Sequence, residues 1–230
     1  MSTVGEIVKD VTPALLPRRQ TLQGRFVSIE PLDPVAHGDA LYEGTHGDHR
    51  DELWRYLFEG PFPDRSSFAA HLQQQASSED PLFFAIVDSA SGRAVGQAAY
   101  LRVEPVHKVI EVGHIIFTPE LQRTAGATEA MFLMAQHVFD LGYRRYEWKC
   151  NARNAPSVRA ARRLGFTFEG IFRQHLIVKG RNRDTAWFSM LDTEWPDRKA
   201  NFERWLHPDN FDQHGRQRLS LAELNASTSV

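Results

Sequence analysis

Residues 109–142, VIEVGHIIFTPELQRTAGATEAMFLMAQHVFDLG, change hydrophobic period part-way along, and that change constrains the chain more than any other feature. Val109, Ile110, Val112, Ile115, Ile116 and Phe117 make a β-branched and aromatic run too short for a helix, which stops at Thr118-Pro119. Such a run predicts a buried strand. From Ala127 the apolar residues Ala127, Ala130, Met131, Met134, Val138 and Leu141 recur every three or four positions, and Gly142 stands where helices commonly end. The spacing predicts an amphipathic helix of about four turns. The rest of the chain is organised around this strand, tight turn and helix.

Between the two lies Leu121-Gln122-Arg123-Thr124-Ala125-Gly126-Ala127-Thr128, with one basic residue, two hydroxyls and three tiny side chains. Two readings fit. The first turn of a helix has N–H groups with no intrahelical acceptor and carries partial positive charge, so an anion such as a pyrophosphate is favoured there. The same residues also serve as an ordinary helix entry.

A second motif follows about thirty residues on: Asn154-Ala-Pro-Ser157-Val-Arg-Ala-Ala161-Arg-Arg-Leu164-Gly165-Phe166. Together the two segments resemble the GNAT (Gcn5-related) N-acetyltransferases. The first is similar to their acyl-CoA motif, Gln/Arg-x-x-Gly-x-Gly/Ala, with Gln122 opening it and Ala125 and Ala127 at its glycine positions. The second is similar to their Asn-x-x-Ser/Ala helix ending in Leu-Gly-Phe. The pattern as a whole resembles the RimJ/RimL-like branch, over roughly residues 20–195.

The resemblance implies an α/β (α+β) GNAT fold, a mixed and largely antiparallel sheet splayed at its central strands and flanked by helices. It also implies acetyl-CoA as cosubstrate and a primary amine as acceptor, either a protein N-terminal α-amine, a peptide or a small molecule. By the same resemblance Gln122 to Thr128 hold the cofactor pyrophosphate, Ile115 and Phe117 flank the pantetheine arm, and Asn154 contacts the pantetheine. Many members protonate the leaving thiolate with a tyrosine seven residues after the asparagine. Here that position is Ala161, so Ser157 becomes the candidate contact to sulfur, although Ser157 equally suits a helix entry. His49, Arg50, Trp54 and Tyr56 fall in the helices that overhang the acceptor in this family. Each is also compatible with a solvated helix face.

Acyl transfer to an amine needs that amine neutral, and an α-amino group near pKa ~8 loses its proton far more readily than a lysine near ~10.4. A carboxylate base is the obvious helper. Glu111 interrupts the apolar run of the central strand and is the candidate. Its alternatives are a solvated edge residue or a structural partner of Arg or Lys. His114, three positions along, is expected on the opposite face of the strand as a packing residue.

Elsewhere the chain reads as an N-terminal arm (1–20), the GNAT domain (21–195), and a C-terminal helix and tail (196–230). The tail from His207 is expected to be loops. Phe202 and Trp205 either cover the core or meet a partner, which would make a homodimer. With 27 basic and 29 acidic residues the charge of −2 favours neither nucleic acid nor an anionic membrane. A single cysteine, Cys150, forbids an intramolecular disulfide and a cysteine-only metal site, and it is expected to be buried. The ten histidines lack ligand spacing, so no metal is expected. No apolar run of ~20 residues and no signal pattern is present, which points to the cytoplasm. Two other functions remain open at this level: a CoA-binding regulatory module with weak catalysis, and a purely structural or interaction protein.

Overall fold

The apolar runs enter one eight-stranded sheet in the order β1-β2-β3-β4-β5-β6-β8-β7. The strands are β1 (Leu22–Gln23), β2 (Val27–Pro31), β3 (Leu82–Asp88), β4 (Ala94–Glu104), β5 (Val109–Phe117), β6 (Arg145–Asn151), β7 (Thr167–Val178) and β8 (Arg181–Leu191). The helices are α1 (Pro34–Thr45), α2 (Arg50–Trp54), α3 (Arg65–Ser77), α4 (Ala125–Asp140), α5 (Ala155–Arg163), α6 (Trp195–Leu206) and α7 (Leu221–Ser227). This computed structural model describes residues 5–227; residues 1–4 of the expected arm and 228–230 of the expected tail lie outside the described residues. No helix among the described residues is long and apolar enough to cross a membrane.

Every neighbouring pair of strands is antiparallel except β5 and β6. That parallel pair needs a crossover, and α4 supplies it. One apolar cluster, including Ile110, Val112, Met134, Tyr146 and Phe188, lies on the α4 face of the sheet. A second, with Leu41, Trp54, Phe68, Phe83 and Ile116, lies under α1, α2 and α3. The sheet therefore has helices on both faces.

The C-terminal region differs from expectation. Trp195, Phe202 and Trp205 are buried in the α4-side core, and Trp195 stacks on Phe139 with ring centroids 4.8 Å apart. The aromatic pair is thus consumed within the chain and offers nothing to a homodimer. The tail is not all loop: α7 folds back, burying Leu221 and Leu224, because two leucines at a helical spacing give it an apolar side to dock. The N-terminal arm is a strap, tied by Ala14 N–H to the Pro105 carbonyl (3.1 Å) and Leu15 N–H to the Leu141 carbonyl (2.9 Å).

A buried carboxylate joins the crossover helix to the first strands. Glu129 of α4 accepts from the backbone N–H groups of Arg25 (3.0 Å), Phe26 (2.6 Å) and Val27 (3.0 Å). A Cβ at Gly24 would stand 2.6 Å from the same carboxylate, so the β1–β2 turn is shaped around it. Charge-assisted bonds contribute about 1.5–3 kcal/mol each, and deleting the acceptor strands its donors. Glu129→Ala is expected to cost about 3 kcal/mol or more, a fall in melting midpoint of roughly 6–12 °C. Urea unfolding checks this, and a loss under about 1 kcal/mol would show that water replaces the carboxylate.

Candidate active site

β5 and β6 pair from Val109↔Arg145 to Val112↔Trp148 and then part. Beyond that point Gly113–Phe117 pair only with β4, and Lys149–Asn151 only with β8. The β5 edge that faces β6 is left without a strand partner, and Ile115 and Phe117, both half-buried, stand along it. A wedge thus opens in the middle of the sheet. An extended ligand arm carrying amides can bond to such an edge as a strand would.

The turn from β5 into α4 lies at the end of this wedge. Thr124 caps α4: its Oγ1 accepts from Ala127 N–H (3.1 Å) and donates to the Leu121 carbonyl (2.7 Å). The N–H groups of Ala125 and Gly126 precede the first turn's bonds and have no acceptor within the helix. Arg123 is exposed, holds φ of +62°, and has no partner among the described residues. An anion brought here meets open amides, the helix dipole and a free guanidinium. The other sequence-selected residues of the turn work inside the protein. Gln122 Nε2 donates to the Phe117 carbonyl (3.0 Å), which fastens the end of β5. Thr128 is buried and accepts from Arg163 (3.1 Å), so it ties α5 to α4 rather than facing a ligand. Gly126 packs α4 onto β2, since a Cβ there would lie 3.0 Å from Val27.

On the other side of the wedge, Asn154 caps α5 through its Oδ1, which accepts from Ser157 N–H (3.2 Å). Ser157 Oγ accepts from Trp148 Nε1 (3.0 Å), and its hydroxyl also lies in hydrogen-bonding reach of the Cys150 sulfur. The neighbouring Cys150 is buried and unpaired, and burial pushes its thiol up. Ala161, at the position of the usual tyrosine, is fully buried in the core.

Residues 30–167, more than half the chain, match the family model described as an acetyltransferase (GNAT) domain. The chain belongs to the GNAT acetyltransferases. A GCN5-related N-acetyltransferase from Brucella melitensis is similar over 95% of this chain and 100% of its own, at 49% identity and a TM-score of 0.93. A probable GNAT acetyltransferase from Chromobacterium violaceum covers 85% of this chain and 98% of its own, at 41% identity and a TM-score of 0.79. The uncharacterized N-acetyltransferase YnaD of Bacillus subtilis is 24% identical over 68% of this chain and 88% of its own length. The GNAT family draws its acetyl group from acetyl-CoA. The open amides of α4 and the parted edge of β5 suit that cosubstrate's pyrophosphate and amide-bearing arm.

On the face of the sheet opposite α4, where the family resemblance puts the acceptor, the structure revises the expectation for His114. Ile110 and Val112 point into the α4-side core, as do Ile115 and Phe117, whereas Ile116 joins the opposite cluster. The alternation slips by one between Val112 and Ile115, where the β4–β5 register shifts and His114 adopts φ of +50°. A β-bulge re-aims side chains in this way. His114 therefore shares a face with Glu111 instead of opposing it. Its ring packs against Phe83 (centroids 5.1 Å apart) and Phe58 (5.9 Å), and neither ring nitrogen has a hydrogen-bond partner among the described residues. Burial lowers its pKa below the ordinary 6.5; Glu59 opposes the shift, while His71, Arg102 and Arg183 add to it.

Glu111 is not free. It is 3% exposed, and its Oε2 accepts from Arg102 and from Lys149 (2.7 Å). Lys149 also pairs with Glu147 (2.6 Å) and lies 3.9 Å from the Trp187 ring centroid. An oxygen engaged by two cations is poorly placed to take a proton from a substrate, so the structural pairing is the better reading of Glu111.

Of the four residues expected to meet the acceptor, only Tyr56 reaches across the cleft. Its hydroxyl donates to the Arg153 carbonyl (3.0 Å), and Lys179 Nζ donates to the Trp54 carbonyl (2.8 Å). These bonds hold the segment after α2 as a roof, with Phe58 on it. Trp54 itself is core: 2% exposed, its Nε1 donates to the Thr45 carbonyl (3.0 Å) and its ring meets Phe62 and Phe68. His49 and Arg50 are exposed and pair with Glu52 and Asp51 of their own helix. Sequence reasoning missed Arg102, Lys149, Arg183 and Phe58. For β6 and β8 a signal existed, because Lys149 and Arg183 occupy the polar phase of strands whose other phase is Tyr146, Trp148, Ala186 and Phe188.

Proposed function

We propose that the protein transfers the acetyl group of acetyl-CoA directly to a primary amine approaching from the face opposite α4, with His114 as the base. The observation that carries this reading is the bulge at His114, which sets a half-buried imidazole, without a hydrogen-bond partner among the described residues, at the mouth of the parted strands. Acetyl-CoA supplies the activated carbonyl. His114 takes the proton lost by the attacking amine, and Glu111 holds Lys149 and Arg102 in place. Ser157, whose hydroxyl can turn from the Cys150 sulfur toward the wedge, is the donor we assign toward the leaving sulfur. Backbone N–H groups on the free edge of β5 are the donors for the carbonyl oxygen as it gains charge.

The acceptor is a protein N-terminal α-amine, as the RimJ/RimL-like resemblance implies, or a small-molecule amine. A neutral imidazole suits amines that ionise near neutrality better than a lysine side chain. The buried, unpaired Cys150 fits a reducing cytoplasm. The core alanine at position 161 favours a second reading, a CoA-binding module with weak catalysis. Release of free CoA from acetyl-CoA, followed across a panel of amines, separates the two. Amine-dependent release supports transfer; acetyl-CoA binding without release on any amine supports the module.

A further inference from the structure

On the acceptor face one buried cation has no ion pair among the described residues. On β4, β5, β6 and β7 the carboxylates Glu111, Glu147 and Glu169 are paired with Arg102, Lys149 and Arg145. Arg183 of β8 is left over. It is only 7% exposed, its Nε donates to Thr185 Oγ1 (3.3 Å), and its Cζ lies 5.0 Å from the Phe58 ring centroid. Its two terminal amino groups make no hydrogen bond among the described residues. On the same phase of β8, Trp187 Nε1 is buried and also lacks an acceptor. Glu111 is near enough to act on Arg183, but it is already taken up by Arg102 and Lys149. The terminal nitrogens of Arg183 lack a protein acceptor among the described residues while keeping some access to solvent, and such a fork matches a carboxylate or phosphate with two parallel bonds.

Phe58 links this orphan charge to the chemistry. The ring that Arg183 lies beneath is the ring that His114 packs against, so an amine at His114 and an anion at Arg183 lie within the span of one small molecule. We propose that the acceptor is a small amine that also carries an anionic group, a carboxylate or a phosphate, bound by the Arg183 fork while its amine stands at His114. The amine end of this assignment rests on the acetyl-transfer reading above; the anion end rests on Arg183 alone.

The test compares pairs that differ in the anion: β-alanine with β-alaninamide, and aminoethyl phosphate with ethanolamine. β-Alaninamide has the less basic amine, so intrinsic availability of the neutral amine favours it over β-alanine. The expected result is the reverse order, with kcat/KM at least about tenfold higher for the anionic member of one pair, which also identifies carboxylate or phosphate. Arg183→Gln should remove that preference chiefly through KM, with a far smaller effect on the neutral amines, while Arg183→Lys, which keeps charge but loses the fork, should fall between. Melting curves of both variants establish that each is folded. Equal turnover of the two members within both pairs by the wild type overturns the anion site and leaves acetyl transfer standing. Calorimetric binding of the anionic amine, lost in Arg183→Gln but with no CoA released, keeps the site and overturns the transfer. A peptide with an acidic first residue outrunning both small amines overturns the small-molecule acceptor.

Discussion

Replacing His114 by glutamine lowers kcat by about a hundredfold or more and leaves the affinity for acetyl-CoA within about twofold, the expected effect of removing a general base. Glutamine keeps similar length and polarity against Phe58 and Phe83, so the bulge is retained, but it cannot accept the amine's proton. The pH profile gives the sharper readout. Burial lowers the pKa of His114 below 6.5, so the competent neutral form predominates at neutral pH and is lost only as pH falls. Wild-type kcat/KM should therefore show an acid limb below about 6.5, reporting the free enzyme's base, with the amine's own ionisation superimposed above it. In His114→Gln that acid limb should flatten. An unchanged acid limb with kcat within threefold of wild type would move the role to water or to Glu111.

The second large effect is on cofactor binding. Ala127 is the third residue of α4, half-buried beside the open amides of Ala125 and Gly126. Glutamate at this position favours the helix itself, because a negative side chain in the first turn complements the dipole. Ala127→Glu should therefore fold as well as wild type while presenting its carboxylate to the place a pyrophosphate would take. Two unit charges about 4 Å apart at an effective dielectric near 20 repel by about 4 kcal/mol, less where water screens them. A loss of about a hundredfold in acetyl-CoA affinity, or about 2.7 kcal/mol, is the expected calorimetric result. Undiminished affinity in a folded variant would remove the α4 N-terminus from the cofactor site.

The strand, turn and helix of residues 109–142, the second motif at Asn154 to Phe166, and with them the GNAT fold, were legible in the sequence. Their signals are local: a change of hydrophobic period, and small residues at the entry of a helix. The candidate site was legible to a lesser depth. The resemblance put Gln122 to Thr128, Asn154 and Ser157 at the cofactor, yet did not reveal that Gln122 and Thr128 spend their side chains on internal bonds. Trp54 is another instance, since an aromatic in an overhanging helix reads the same whether it lines a cleft or fills a core.

Only the tertiary structure decided how the charges and rings opposite α4 are arranged. Glu111 reads as an isolated carboxylate in its strand, but the parallel register with β6 brings Lys149 to it from 38 positions away. His114 read as facing the other way because strict alternation was assumed, and one bulge reversed it. Arg183 could be read as lying in the polar phase of its strand, but its want of an ion pair is a sum over pairs drawn from four other strands. Period and propensity act over a few residues, so the sequence by itself determines which elements form and which side of each is apolar. Register, bulges and charge balance depend on pairing between distant strands, and these decide which of the polar residues remain free to do chemistry.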